Sequence, residues 1–259
     1  MDDVLADLDQ IERKLDAILE PLDDEAWQRP TPAEGWSIGD TVSHLAWFEE
    51  QAELAARDPD KFASSVNELL GGGVDGYMAV AIDLGKGKPG SELLDWWRRA
   101  RGAAQDAFRQ LDPAARVVWF GPSMASRTFV GARVMETFAH GTDIADALEV
   151  QFLAGGALRH VAALGVKTFG WSFQNRELAV PDHRVRVELT DSDGEVHRWN
   201  ENETQSVVGT LEDFSLVVTQ RRHVDDTGLT VDGPTARQWM EIAQCFAGPP
   251  GPGRQPAKG

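Results

Sequence analysis

Glu136 and His140 stand four residues apart in the run Arg133-Val134-Met135-Glu136-Thr137-Phe138-Ala139-His140. On a helix that spacing stacks both side chains on one face, one turn apart. A carboxylate and an imidazole so placed can grip one divalent cation. His44, far upstream in Trp36-Ser37-Ile38-Gly39-Asp40-Thr41-Val42-Ser43-His44, is a candidate third ligand. Two histidines and one carboxylate suit zinc, and also iron or nickel. Three protein ligands leave one coordination position open, the mark of a catalytic rather than a structural site. The bland alternative stands beside this. Arg133, Glu136, His140 and Asp143 fall at i, i+3, i+7 and i+10, next to an apolar stripe of Val134, Phe138, Gly141, Ala145 and Leu148. Spacing alone fits a solvated helix face equally well, and His44, at the edge of an apolar stripe, fits an ordinary packed histidine.

The elements that must carry these residues are legible as periodicities. Val4, Leu8, Ile11, Leu15 and Ile18 recur at spacings of four and three, an amphipathic helix that ends near Pro21. Ser37 caps a second helix, with Asp40 three residues on in capping-box style. That helix bears Ile38, Val42, Leu45 and Phe48 as well as His44. Residues 59–90, with Gly71-Gly72-Gly73 and Pro89, read as a long connection containing at most one short helix. Ser91 caps a third helix with the stripe Leu94, Trp97, Ala104, Phe108 and Leu111; residues 114–126, including Pro122, follow as a loop. A fourth helix spans Ser126 to Leu148. Four amphipathic helices with one long crossover predict a four-helix bundle over residues 1–152.

The texture then changes. A helix is expected over about 157–171. Arg184-Val185-Arg186-Val187-Glu188-Leu189-Thr190 alternates as a half-buried strand, and Asp191-Ser192-Asp193-Gly194 reads as its hairpin turn. Residues 195–200 form the returning strand and 204–209 a third. A helix over 211–221, a strand at 229–231 and a last helix from Pro234 complete an α+β domain over 153–247. Residues 248–259 are rich in Pro and Gly and are expected to be disordered.

Composition bounds the function. With 259 residues, 42% of them hydrophobic, the chain supports a substantial core. A net charge of −17 argues against nucleic acid or an anionic membrane as the main partner. A single cysteine, Cys245, excludes an intrachain disulfide and a cysteine-rich zinc cluster. The acidic start, Met1-Asp2-Asp3, lacks the features of a signal peptide, and no apolar run reaches the roughly 20 residues that span a bilayer. A cytoplasmic protein, monomer or homodimer, is expected. A phosphate-binding loop and a nucleophile elbow are both missing from the sequence.

Gly35-Trp36-Ser37-Ile38, Asp40 and His44-Leu45-Ala46, followed by Arg133, Glu136, His140, Asp143 and Ile144, resemble the two motifs of the mycothiol-dependent maleylpyruvate isomerases, an actinobacterial type within the wider DinB-like group of metal-binding helical bundles. The resemblance covers about residues 1–150. It implies that His44, Glu136 and His140 bind one divalent metal, usually zinc, with mycothiol as co-substrate. Asp40 and Asp143 would then orient ligand imidazoles from behind, with Arg133 beside them. The second half resembles the sterol-carrier-protein-like domain of some members. In those isomerases a basic residue of this domain helps hold an anionic substrate, and Arg221 and Arg222 are the candidates here.

Three function classes follow. In a thiol-dependent isomerase or transferase, the metal stabilises a low-molecular-weight thiolate that attacks an electrophile. In a hydrolase, the open position activates water. In a non-enzymatic module, the α+β half carries a small ligand. The nine tryptophans suit a ligand pocket or a core, and core is the expected use. His160, His183, His197 and His223 show no ligand spacing and are expected at the surface.

Overall fold

A computed structural model describes residues 1–70, 73–121 and 123–257 of the chain, with side chains described outside 67–77. Gly71, Gly72 and Pro122, which the sequence puts in connections, lie outside the described residues, as do Lys258 and Gly259. The fold is a helix-rich α+β arrangement in two compact units, Met1–Leu153 and Ala154–Gly259. No helix among the described residues is long and apolar enough to cross a membrane.

In the first unit, α1 (Asp2–Leu19) buries Val4, Leu8, Ile11 and Leu15, with Leu19 rather than Ile18 completing the stripe. A one-turn helix, α2 (Asp24–Trp27), follows. Next, α3 (Ile38–Arg57) starts at a complete capping box, Ser37 accepting from the Asp40 amide and Asp40 from the Ser37 amide. Residues 59–90 are not one long connection. They form α4 (Pro59–Leu70) and α5 (Gly73–Asp83), anchored by the buried Phe62 and Ala81, before a short turn. Helix α6 (Gly90–Phe108) begins one residue before the expected Ser91, and its N-cap is Pro89, with no side-chain cap. The stretch read as a loop contains a minimal antiparallel pair, β1 (Arg116–Val117) with β2 (Met124–Ala125). It leads into α7 (Ser126–Leu148). The most extensive helix packing in this unit joins α3 to α6 and α1 to α7, and α3 also meets α7. That last contact is what brings His44 to Glu136 and His140.

Helices α1 and α3 also bury charge. Glu12 lies four residues after Leu8, and Glu49 four after Leu45, so each falls on its helix's apolar face; both are 1% exposed.

In the second unit the expected single helix breaks at Thr168 into α8 (Leu158–Lys167) and α9 (Phe169–Gln174). A four-stranded sheet runs in the order β4 (Val196–Trp199), β3 (Arg186–Thr190), β5 (Ser206–Thr210), β6 (Thr230–Asp232). The hairpin at residues 191–194 joins β3 to β4, with Leu189 opposite His197. The central pair β3–β5 is parallel, Val187 opposite Val207. Val187, Leu189 and Val207 are fully buried, as are Phe214 of α10 (Leu211–Val218) and Trp239 of α11 (Pro234–Ile242). Gly165 of α8 permits a close approach to α10: a Cβ there would lie 2.9 Å from Val218. His160 is 9% exposed, so it is a core histidine and not a surface one. Cys245 is buried and in no disulfide.

Candidate metal centre

The polar stripe of α7 faces inward. Arg133 is 2% exposed, Asp143 1% and His140 9%. Glu136 keeps a quarter of its side chain exposed. The solvated-face reading therefore fails for this helix. Oε2 of Glu136 lies 3.4 Å from Nε2 of His140 and 3.7 Å from Nε2 of His44. One donor atom from each of the three residues falls within 4.8 Å of the other two.

These separations exceed the ordinary hydrogen-bond range of about 2.7–3.2 Å. They match the spacing of donors around a tetrahedral ion, which bonds of about 2.1 Å place roughly 3.4 Å apart. The protonation states suit the same role. Burial, reinforced by the neighbouring His140, pushes the His44 imidazole down to about 4, so it is neutral at pH 7. Burial disfavours charge on Glu136, yet His140, His44 and the Arg133 cation hold its carboxyl well below the usual range. Neutral imidazole and ionised carboxylate are the forms that bind metals. By donor set and spacing the three residues fit a divalent cation, and His44 and Glu136 do so by protonation as well.

Each ligand is mounted differently. Asp143 brings Oδ2 to 3.4 Å from Nδ1 of His140. Asp40 is engaged in the cap of α3, where its Oδ2 accepts from both the amide and the hydroxyl of Ser37. Arg133 donates from Nε and Nη2 to Oε1 of the buried Glu49, at 2.9 and 2.8 Å. Burial opposes the Arg133 charge, but Glu49 and Glu136 raise its pKa further. Beyond Glu49 lies Glu12, hydrogen-bonded by Gln105; burial, then the Glu49 charge, raise its carboxyl well above the ordinary value. Burial also raises Glu49, against the pull of Arg133.

Rings flank the imidazoles. The Trp36 ring stacks on His140 with centroids 5.7 Å apart and planes 16° apart, and lies 5.0 Å from His44. Phe48 lies 4.5 Å from His44. Sequence reasoning placed Trp36 only in a motif and Phe48 only in an apolar stripe. Phe48 had a signal, being one turn after His44. Glu12 and Glu49 had one too, as carboxylates at core spacing.

Arg221 and Arg222 sit in the second unit just past the end of α10. There Arg221 Nη1 donates to the Thr219 carbonyl and Arg222 Nη1 to the Arg221 carbonyl, both at 2.7 Å. A second trio, Asp191, Glu195 and His197, also has donors within 4.8 Å. It occupies the β3–β4 hairpin, and its carboxylate Asp191 is already bound: Oδ1 accepts from the amides of Asp193 and Glu195, and Oδ2 lies 3.0 Å from His197 Nε2. These bonds make it a turn stabiliser.

A family model described as the mycothiol maleylpyruvate isomerase N-terminal domain matches residues 8–145. Uncharacterised proteins from two strains of Mycobacterium tuberculosis are each 37% identical over 251 residues, covering 96% of this chain and 97% of each relative. Crystal structures of a mycothiol-dependent maleylpyruvate isomerase and of its histidine-to-alanine mutant superpose with TM-scores of 0.59 and 0.58. They share 13% identity with this chain, covering 90% of it and 95% of the solved chains. At that identity the likeness is one of fold.

Proposed function

The chain belongs to the mycothiol maleylpyruvate isomerase N-terminal domain family, and from that membership we propose that it is a metal-dependent enzyme that uses mycothiol as co-substrate, an isomerase or S-transferase. In this reading the first unit is a DinB-like four-helix bundle and the second a sterol-carrier-protein-like domain, with boundaries near 152 and 247. His44, Glu136 and His140 hold one divalent metal, zinc by preference of the donor set. The observation that carries the reading is the convergence of these three donors in the interior between α3 and α7.

The metal, when bound, lowers the pKa of a thiol so that it is a thiolate near neutral pH. The chain's own residues prepare for it. Glu136 supplies the one negative charge among the ligands, and His140, His44 and, last, Arg133 hold it ionised against the effect of burial. Asp143 places a carboxylate 3.4 Å from the Nδ1 edge of His140, where it can orient the ring. The mycothiol sulfur then adds to an electron-poor double bond. A C–S bond forms while the π electrons move onto the conjugated carbonyl. Rotation and loss of the same thiolate give the isomer; protonation of the adduct instead gives a conjugate. Arg221 and Arg222 are the candidate holders of an anionic substrate or of mycothiol. No nucleophilic cysteine is required, in keeping with the burial of Cys245.

The test is metal content by mass spectrometry on protein purified without chelator, then mycothiol titrated into the cobalt(II)-loaded chain. About one metal per chain and a new sulfur-to-cobalt charge-transfer band, both lost in Glu136→Ala, are the expected results. Bound metal with no such band, and ester or amide cleavage without thiol, would favour the hydrolase instead. No metal even after reconstitution would leave the small-ligand-binding module.

A further inference from the structure

The two histidines are supported unequally. A metal-ligating histidine almost always gives its other ring nitrogen to a carboxylate, carbonyl or water, which fixes tautomer and orientation. His140 has a carboxylate on that side, with Asp143 Oδ2 at 3.4 Å from Nδ1, an ion-pair contact longer than a hydrogen bond. His44 has no such partner: its Nδ1 is buried and makes no hydrogen bond among the described residues. The nearby carboxylate on its own helix, Asp40, is held by Ser37 at the cap. Yet the ring is only 4% exposed and its Nε2 faces Glu136. Something other than a hydrogen bond sets its plane.

What touches that plane is aromatic. Trp36 lies 5.0 Å away at an interplanar angle of 50°, and Phe48 4.5 Å away at 46°. His140 completes the box at 4.5 Å, edge-on, itself stacked on Trp36. Phe48 rides one turn after His44 on α3, so its place is set by the helix. Trp36 is not helical and is held by its loop instead. The Gly35 φ of +78° turns the chain, and the Trp36 amide donates to the Ala33 carbonyl at 3.0 Å. The Trp36 carbonyl accepts from the Thr31 amide at 2.7 Å and the Thr31 hydroxyl at 3.0 Å. The next residue opens the capping box. Trp36 is thus bolted at both ends, and it is the only half-exposed ring of the four.

We infer that Trp36 and Phe48 are positioning residues of the metal centre: they clamp the His44 imidazole in its ligating orientation, on the ring that has no carboxylate behind it. This rests on the proposed metal site, but the clamp has consequences without metal. Aromatic contacts of this kind contribute modestly each, and support behind a metal ligand is worth between about 10- and 100-fold in affinity. A roughly tenfold effect is expected from Trp36 alone.

The experiment compares the full-length chain with Trp36→Leu, which keeps bulk without a ring, and Trp36→Phe, which keeps a ring. In metal-free protein, the ring protons of His44 and His140 should appear upfield by NMR from ring currents. Trp36→Leu should shift them downfield, with far-UV circular dichroism unchanged. Trp36→Phe should restore part of the shift. In cobalt(II) titrations, Trp36→Leu should bind about tenfold more weakly with an altered visible spectrum, while Trp36→Phe stays within about threefold of wild type. Unshifted histidine signals, or wild-type affinity and spectrum in Trp36→Leu, would overturn the clamp while leaving the metal reading intact. A wild-type chain that takes up no cobalt would overturn the metal reading and the clamp together. If Trp36→Leu fails to fold, Phe48→Leu is read in its place against the same outcomes.

Discussion

Among the described residues two trios of side chains, one in each unit, meet the same distance requirement for a metal, and in the hairpin trio the central carboxylate is already spent on the turn. In the hairpin, Asp191 binds two backbone amides and His197 within a stretch of seven residues. Its geometry is a local turn, and the low pKa of Asp191, due first to His197 and then opposed by burial, reports that turn. In the helical unit, Glu136, His140 and His44 come from two helices, lie at separations longer than hydrogen bonds, and are held from outside by Arg133, Asp143 and a set of rings. Proximity is therefore not the signature of a site. Donors brought from separate helices into a buried cluster, at a cost in desolvation and at separations longer than hydrogen bonds, are.

The largest effects are expected at the ligands. His44→Ala and His140→Ala should each lower metal affinity by more than about a hundredfold, beyond the loss expected for a supporting residue. Competition with a chromogenic chelator measures this; equal affinity in either variant would put the helical trio on the same footing as the hairpin. The next largest effect is on stability. Arg133→Met strands the buried Glu49 carboxylate and should cost about 3–5 kcal/mol in denaturant unfolding. The double variant Glu49→Leu/Arg133→Met should recover most of that loss, because no charge is then left unpaired. Asp143→Asn should weaken metal binding about 10- to 100-fold without unfolding the chain. The smallest effect is reserved for the hairpin: His197→Ala should leave metal content unchanged and cost less than about 1 kcal/mol. A drop in bound metal there would erase the distinction between the two trios.

Much of the architecture was written in periodicity. The stripes of α1, α3, α6 and α7, and the alternation of β3, appear where the sequence puts them, because burial of one face leaves a repeat of 3.6 or of 2. Helices α4 and α5 were hidden because glycine punctuation and a thin apolar stripe mask the period. The break at Thr168 was hidden because no proline or charged turn marks it between Leu158 and Gln174. The parallel pairing of β3 with β5 was not legible either, since a strand's sequence does not name its neighbour.

The chemistry of the site divides in the same way. The sequence by itself determined that Glu136, His140 and Asp143 share one helical face and that His44 lies two turns into a capped helix, because α-helical geometry is local. It could not tell whether that face looks at water or at another helix. That depended on α3 packing beside α7 and on Glu49 arriving to neutralise Arg133, contacts between residues far apart in the chain. Nor could it show that Trp36 would fold over both imidazoles, or that the hairpin trio would use up its own donors. Which side chains are near in sequence is set by covalent geometry; which acceptors remain open to a cation is decided only when the whole interior has been packed and its hydrogen bonds assigned.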